Sequence, residues 1–207
     1  MTIRKPVASL AWAVALGLAA LAAPAQAQFS DGYKFLEAVK KKDGDKVTEM
    51  LAGAGATLVN TRDITSGETP LHLVTARRDL TWMAFLIERG ANVNARDRNG
   101  VTPLVMASNL NFIEGLELLI DKRARVDESN DAGETPLISA VHRRNIPMMR
   151  RLLKAGANPD RADNSGRSAR DYALLEGRTS ALVTEIETNA KASKAGQSGQ
   201  AVYGPRI

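Results

Sequence analysis

The sequence predicts an all-α-dominated solenoid of helix-turn-helix units with projecting β-turn loops, and three observations carry that prediction. Thr69-Pro70-Leu71-His72, Thr102-Pro103-Leu104 and Thr135-Pro136-Leu137 begin at intervals of 33 residues; Ser168, another 33 on, opens a fourth copy in which Pro and Leu have become Ala169 and Arg170. Self-similarity at such a period marks stacked units that cannot bury their apolar faces alone. Aromatic residues make up 4% of the 207 residues, too few for the aromatic and β-branched core of a sandwich or barrel. Within a unit, Leu80, Trp82, Phe85 and Leu86 recur at helical spacing.

Before the repeats, Met1–Lys5 carries Arg4 and Lys5, Val7–Ala23 has no charge, and Ala25-Gln26-Ala27 places small residues at alternate positions. This order is that of a secretory signal peptide, with cleavage expected after Ala27. The competing reading is an uncleaved anchor, for which the Ala-rich run sits at the short limit of a bilayer span. Losing Arg4 and Lys5 with the leader lowers the formal charge from +5 to +3, too little to argue for nucleic acid. The expected location is the bacterial periplasm, with release outside the cell as the alternative.

Within a unit, Thr69 caps a first helix and Pro70 fits its first turn, where a missing N–H forfeits no bond. Leu71 and Val74 are expected to face the neighbouring unit. Arg78-Asp79 ends the first helix and Gly90 stops the second in a left-handed residue. Asn94 to Gly100 then forms a projecting turn. The same marks return as Gly156-Ala157-Asn158 and as Ala132-Gly133 and Ser165-Gly166. Arg123 stands where Gly90 and Gly156 end their helices, so a left-handed backbone there carries a Cβ at a cost of roughly 1 kcal/mol. Pro147 falls in the first turn of a second helix, where it is tolerated. Asn189–Ile207, with almost no apolar spacing, reads as a disordered tail.

On these residues the chain resembles an ankyrin-repeat protein, a family with a 33-residue period and a T-P-L-H-x-A signature. The resemblance covers about Asp31–Thr188: a diverged first unit at 31–68, full units at 69–101, 102–134 and 135–167, and a C-terminal cap at 168–188. The turn of the first unit, Thr61–Thr69, is one residue longer than its counterparts. The family implies non-catalytic protein–protein binding, with the partner at the turn tips and the exposed side of the first helices, along a concave groove. By position the tips are Glu68, then Arg98, Asn99 and Val101, then Asp131 and Glu134, then Arg167. The first-helix ends are Lys40, Lys41 and Lys42, then Arg77 and Arg78, then Asn109-Leu110-Asn111, then His142, Arg143 and Arg144. That row holds seven Lys or Arg and reads as a basic stripe that would attract an acidic protein surface. Cations near helix C-termini are also favoured by the helix dipole at about 0.3–1 kcal/mol each, whatever the protein binds. For His72 the family implies a hydrogen bond between neighbouring turns.

The catalytic classes are thinly supported. Cysteine is absent, which removes thiolate metal sites and thiol nucleophiles; there are two histidines, His72 and His142, and neither G-x-S-x-G nor H-E-x-x-H occurs. Gly53-Ala54-Gly55-Ala56-Thr57 lacks the Gly-Lys-Ser/Thr ending of a phosphate loop and follows a helix, so a helix stop is expected. Glu114 and Glu117 read as solvated surface. The expectation is a monomeric binding protein without enzyme activity, metal, cofactor or nucleic-acid partner. Its role would be that of an inhibitor, an immunity-type factor or a scaffold. A secreted effector acting on a host protein is the alternative, and a small-molecule enzyme a distant third.

Overall fold

Each Thr-Pro pair starts a short helix. Thr69, Thr102, Thr135 and Ser168 hold extended backbone at the N-cap, and Pro70, Pro103 and Pro136 occupy the first helical position. The hydroxyls of Thr102 and Thr135 accept from the N–H groups of Val105 and Ile138, each at 3.2 Å, satisfying donors that the helix itself cannot. The computed structural model describes residues 30–54 and 56–198; the expected leader at 1–27 and residues 199–207 of the expected tail lie outside the described residues.

The elements are α1 (Asp31–Lys40), α2 (Gly44–Ala54), α3 (Ala56–Val59), α4 (Pro70–Ala76), α5 (Leu80–Glu88), α6 (Pro103–Asn109), α7 (Ile113–Asp121), α8 (Pro136–His142), α9 (Ile146–Lys154), α10 (Ala169–Leu175) and α11 (Ala181–Ser198). Among the described residues there is no strand, only an isolated antiparallel bridge between Ala162 and Ser168. The first helices α1, α4, α6, α8 and α10 pack in succession, and each carries its second helix beside it. Gly53 and Ala54 lie in α2 and Ala56 and Thr57 in α3, so helix and not strand precedes this stretch; Gly55 lies outside the described residues. Pro147 lies in the first turn of α9, which continues unbroken to Lys154.

Between units the core repeats with the sequence. Leu71, Leu104 and Leu137 stack at 0%, 1% and 0% exposure, and Val74, Ala107 and Ala140 follow one turn on at 0% each. Met83 and Leu86, Leu116 and Leu119, and Met149 and Leu152 supply the second-helix side of the same column, all fully buried. Burying a Leu or Met side chain contributes roughly 1.5–3 kcal/mol, and it is realised only when the neighbouring unit is present.

The short link between paired helices is made by left-handed residues at Lys42, Arg78, Asn111 and Arg144 (φ 59, 56, 57 and 52) and at Gly177 (φ 109). Arg123 is left-handed as well (φ 67), as its alignment with Gly90 and Gly156 requires. The second helices are capped by Asp43, Asp79 and Asn145, which accept from the N–H groups of Lys46, Trp82 and Met148. At α7 the N-cap is Phe112, which has no side chain able to cap; its ring, 6% exposed, fills the space where Gly115 lacks a Cβ.

At the C-terminal end the structure corrects one expectation. Helix α11 runs on to Ser198, ten residues into the segment from Asn189 that reads as a disordered tail. Ala and Lys dominate that stretch, and both are strong helix formers even without an apolar stripe. The helix is anchored earlier, by Leu182, Val183 and Ile186 in the core and by buried Glu185, which accepts from Arg150 Nε and Nη2 at 2.8 and 2.7 Å.

Candidate functional site

The projecting turns are held by their own side chains. Asp97 Oδ1 accepts from the N–H groups of Asn99 and Val101, both at 2.8 Å; Asn130 Oδ1 accepts from Ala132 and Glu134, both at 3.0 Å; Asp163 Oδ1 accepts from Ser165 and Arg167, at 2.8 and 3.1 Å. Asp63 does the same for Thr65 and Ser66, and these backbone donors, Ser66 first, hold its carboxyl below the usual range. Asp163 goes further, to a pKa of about 2, because the Ser165 and Tyr172 hydroxyls also donate to it. Neighbouring turns are then joined through backbone: Arg98 N to Ser66 O at 3.0 Å, Asp131 N to Asn99 O at 2.9 Å, Asn164 N to Ala132 O at 3.1 Å. The turn tips therefore form one continuous ribbon whose backbone is already satisfied.

His72 belongs to this frame. Its Nδ1 accepts from the Thr69 N–H at 3.2 Å, so the proton sits on Nε2, which donates to Val101 O in the next turn at 3.0 Å. Burial holds the imidazole neutral and its pKa below the ordinary 6.5. Both nitrogens are engaged and the ring is fully buried, which leaves it no access to a substrate.

Three contacts tie the ribbon to the first helices and define the groove between them. Lys40 Nζ lies 3.9 Å from Asp63, His142 Nδ1 lies 3.6 Å from Glu134 Oε1, and Tyr172 donates its hydroxyl to Asp163 Oδ2 at 2.7 Å. At the C-terminal end these merge into a cluster. The His142 ring meets the Tyr172 ring edge-on at 4.4 Å, and the Arg167 guanidinium stands 5.9 Å from the same tyrosine ring.

A family model described as ankyrin repeats (3 copies) matches residues 35–130, and a second, ankyrin repeats (many copies), matches residues 119–173. The chain belongs to the ankyrin-repeat family. Ankyrin repeats are generally protein–protein interaction modules and typically non-catalytic. Among the described residues no group of three or more His, Cys, Asp or Glu is placed to hold a metal ion, and no helix is long and apolar enough to cross a membrane.

The ankyrin frame redistributes the residues expected at the site. Arg98, Asn99, Asp131 and Arg167 are exposed along the ribbon, while Glu68, Val101 and Glu134 are half-buried beside them. The basic row, however, is not seven free cations. Arg77 keeps only 20% of its side chain exposed: Nη1 donates to Val39 O at 2.5 Å, Nε to Asp79 at 3.2 Å, and the guanidinium lies 5.1 Å from the Trp82 ring centroid. Lys42 pairs with Asp79 at 3.1 Å, Arg78 donates to Leu110 O, and Arg144 pairs with Glu176 at 2.6 Å. Asn145 donates to Asn111 in the same way. Left-handed residues at the link between paired helices thus reach across to the next unit and strap the stack together. Lys40 is shared between Glu37 and Asp63, whereas Lys41 and Arg143 are exposed and make no ion pair among the described residues.

Two groove residues escape a reading of the sequence. Tyr172 lies in the degenerate fourth copy, where Ala169-Arg170 replaces Pro-Leu and no motif draws attention to it. Ile64 is the additional residue of the first turn and stands 86% exposed at the N-terminal end of the ribbon. The length difference of that turn was the available signal.

Proposed function

We propose that the protein is a non-catalytic binding module that takes another protein along the groove between the ribbon of turn tips and the first helices. The observation that carries this reading is that the ribbon backbone and the unit-to-unit straps satisfy themselves, while the side chains of Asn99, Lys41, Arg143 and Ile64 are exposed and make no hydrogen bond or ion pair among the described residues. A preorganised surface binds with little loss of conformational entropy, which favours a groove of this construction as a docking face. The two unpaired cations, with Arg98 and Arg167 on the tips, suit a partner whose contacting surface is acidic and would speed its association.

The leader motif at 1–27 supports export, and the proposed setting is the periplasm, where the module would act as an inhibitor, an immunity-type factor or a scaffold for an envelope protein. The test is a crosslinked capture from periplasm with the wild-type chain and with a Lys41→Glu/Arg143→Glu variant. A protein captured by the first and lost by the second supports the reading, given equal melting temperatures. Capture unchanged by the double reversal removes the electrostatic part of it, and recovery of the chain only from culture medium removes the periplasmic setting.

A further inference from the structure

The outer face of the stack carries a second feature, independent of the groove. The outward positions of α7 are Glu114 and Glu117, and those of α9 include Arg150, Arg151 and Lys154, as befits solvated helices. The corresponding positions of α5 are Thr81, Ala84, Phe85 and Glu88, and Glu88 is the single charged residue of that helix. Beside it α2 presents Gly44 and Thr48, too small to cover the aromatic side chains. The result is a cleft of about 250 Å³ lined by Gly44, Thr48, Thr81, Trp82 and Phe85. Trp82 and Phe85 meet edge-on with centroids 5.9 Å apart and form its apolar wall.

Two cations stand at this wall, and one of them, Arg77 at 5.1 Å from the Trp82 ring centroid, is already paired with Asp79. The Arg89 guanidinium lies 4.9 Å from the Phe85 ring centroid and has no carboxylate partner among the described residues. Nearby cations differ: Lys42 is paired with Asp79 and Lys46 with Glu49. An arginine laid on an aromatic ring is held in place while its N–H donors stay free, which is the arrangement that receives a carboxylate. The volume falls below the roughly 300–1,000 Å³ of small-molecule pockets and suits one inserted side chain.

We propose that this cleft is a docking site for an acidic peptide segment of a partner protein: one phenylalanine or leucine side chain enters against Trp82 and Phe85, and an adjacent carboxylate pairs with Arg89. Apolar burial supplies the attraction, and the charge selects an acidic neighbour over a neutral one.

Trp82 reports on the site directly, since the chain's other tryptophan is Trp12. In a full-length chain carrying Trp12→Phe, the emission of Trp82 is titrated with the peptide acetyl-Ser-Phe-Glu-Ser-amide and with its Phe-Gln counterpart. The expected result is a saturable change with the first and affinity about tenfold or more weaker with the second, the usual worth of a hydrogen bond to a charged group. Arg89→Gln should erase the difference between the two peptides. Gly44→Leu should abolish binding of both while leaving the fold intact, because a Cβ at Gly44 meets nothing within 4 Å and Gly44 sits in the first turn of α2. Equal affinity for both peptides, unaltered binding in Gly44→Leu with an unchanged melting temperature, or no change in Trp82 emission would each overturn the proposal. Loss of groove binding in Lys41→Glu/Arg143→Glu leaves this titration unaffected, so the two readings fail separately.

Discussion

Replacing Gly115 by alanine tests how the third unit is packed, because two effects of opposite sign compete there. In a helix, alanine is favoured over glycine by about 0.8–1.0 kcal/mol. At this position, however, a Cβ would run into Phe112 Cε1 and Cδ1 and lie 3.0 Å from Cζ. Contacts that short force the ring to move, and the ring is 6% exposed in the core. Overpacking of this kind costs about 1–3 kcal/mol, so Gly115→Ala in the wild-type chain should be destabilising by up to about 2 kcal/mol. Phe112→Asp removes the obstruction and supplies the N-cap carboxylate that α2 and α5 use, worth about 1 kcal/mol, at the larger cost of the lost ring. In that background Gly115→Ala should become stabilising by about 1 kcal/mol. The assay is urea unfolding of the four chains of the cycle, and the decisive quantity is the sign of the Gly115→Ala effect in each background. A stabilising effect in the wild-type chain, or the same effect in both, would refute the assignment of the glycine to the ring above it.

Arg123→Gly should raise the melting temperature by about 2–4 °C, since it removes roughly 1 kcal/mol of left-handed strain at an exposed position; Arg144→Gly should gain less, because it also gives up the contact with Glu176. Arg150→Ala should lower the urea midpoint by leaving the buried Glu185 carboxylate with Asn189 as its remaining side-chain donor, and adding Glu185→Leu should recover most of that loss in a denaturant melt. His72 is held neutral in the fold, so below pH 6.5 the unfolded chain binds more protons; its stabilising effect is full above that value and is lost as pH falls through the lowered folded-state value. Urea melts at pH 7.5 and 5.5 should therefore show a smaller acid-induced loss in His72→Gln than in the wild-type chain.

The periodic features were legible because the 33-residue beat fixes which positions are equivalent. Leu71, Leu104 and Leu137 share one column, and Arg123 inherits the left-handed backbone of Gly90 and Gly156 through that equivalence. The fate of the cations was not legible. Arg78 and Arg144 look like free ends of helices in one dimension, yet their targets, Leu110 and Glu176, lie about one repeat further along, within reach only after stacking. Neutralising Arg77, Arg78, Arg143 and Arg144 together therefore removes three contacts between units and confounds a binding test of the basic row. Tyr172 was hidden by the loss of the Thr-Pro-Leu mark in its copy. The extension of α11 past Asn189 carries no amphipathic pattern, because that segment is helical by composition.

Whether a partner lies in the groove is measured directly by site-specific photo-crosslinking in periplasm. A photoreactive residue is placed in turn at Asn99 on the ribbon, at Arg143 on the first-helix side, and at Lys122 on the end of α7 away from both. A partner seated in the groove gives one common adduct from Asn99 and Arg143 and none from Lys122. An adduct from Lys122 alone, or unrelated adducts from the two groove positions, would contradict it.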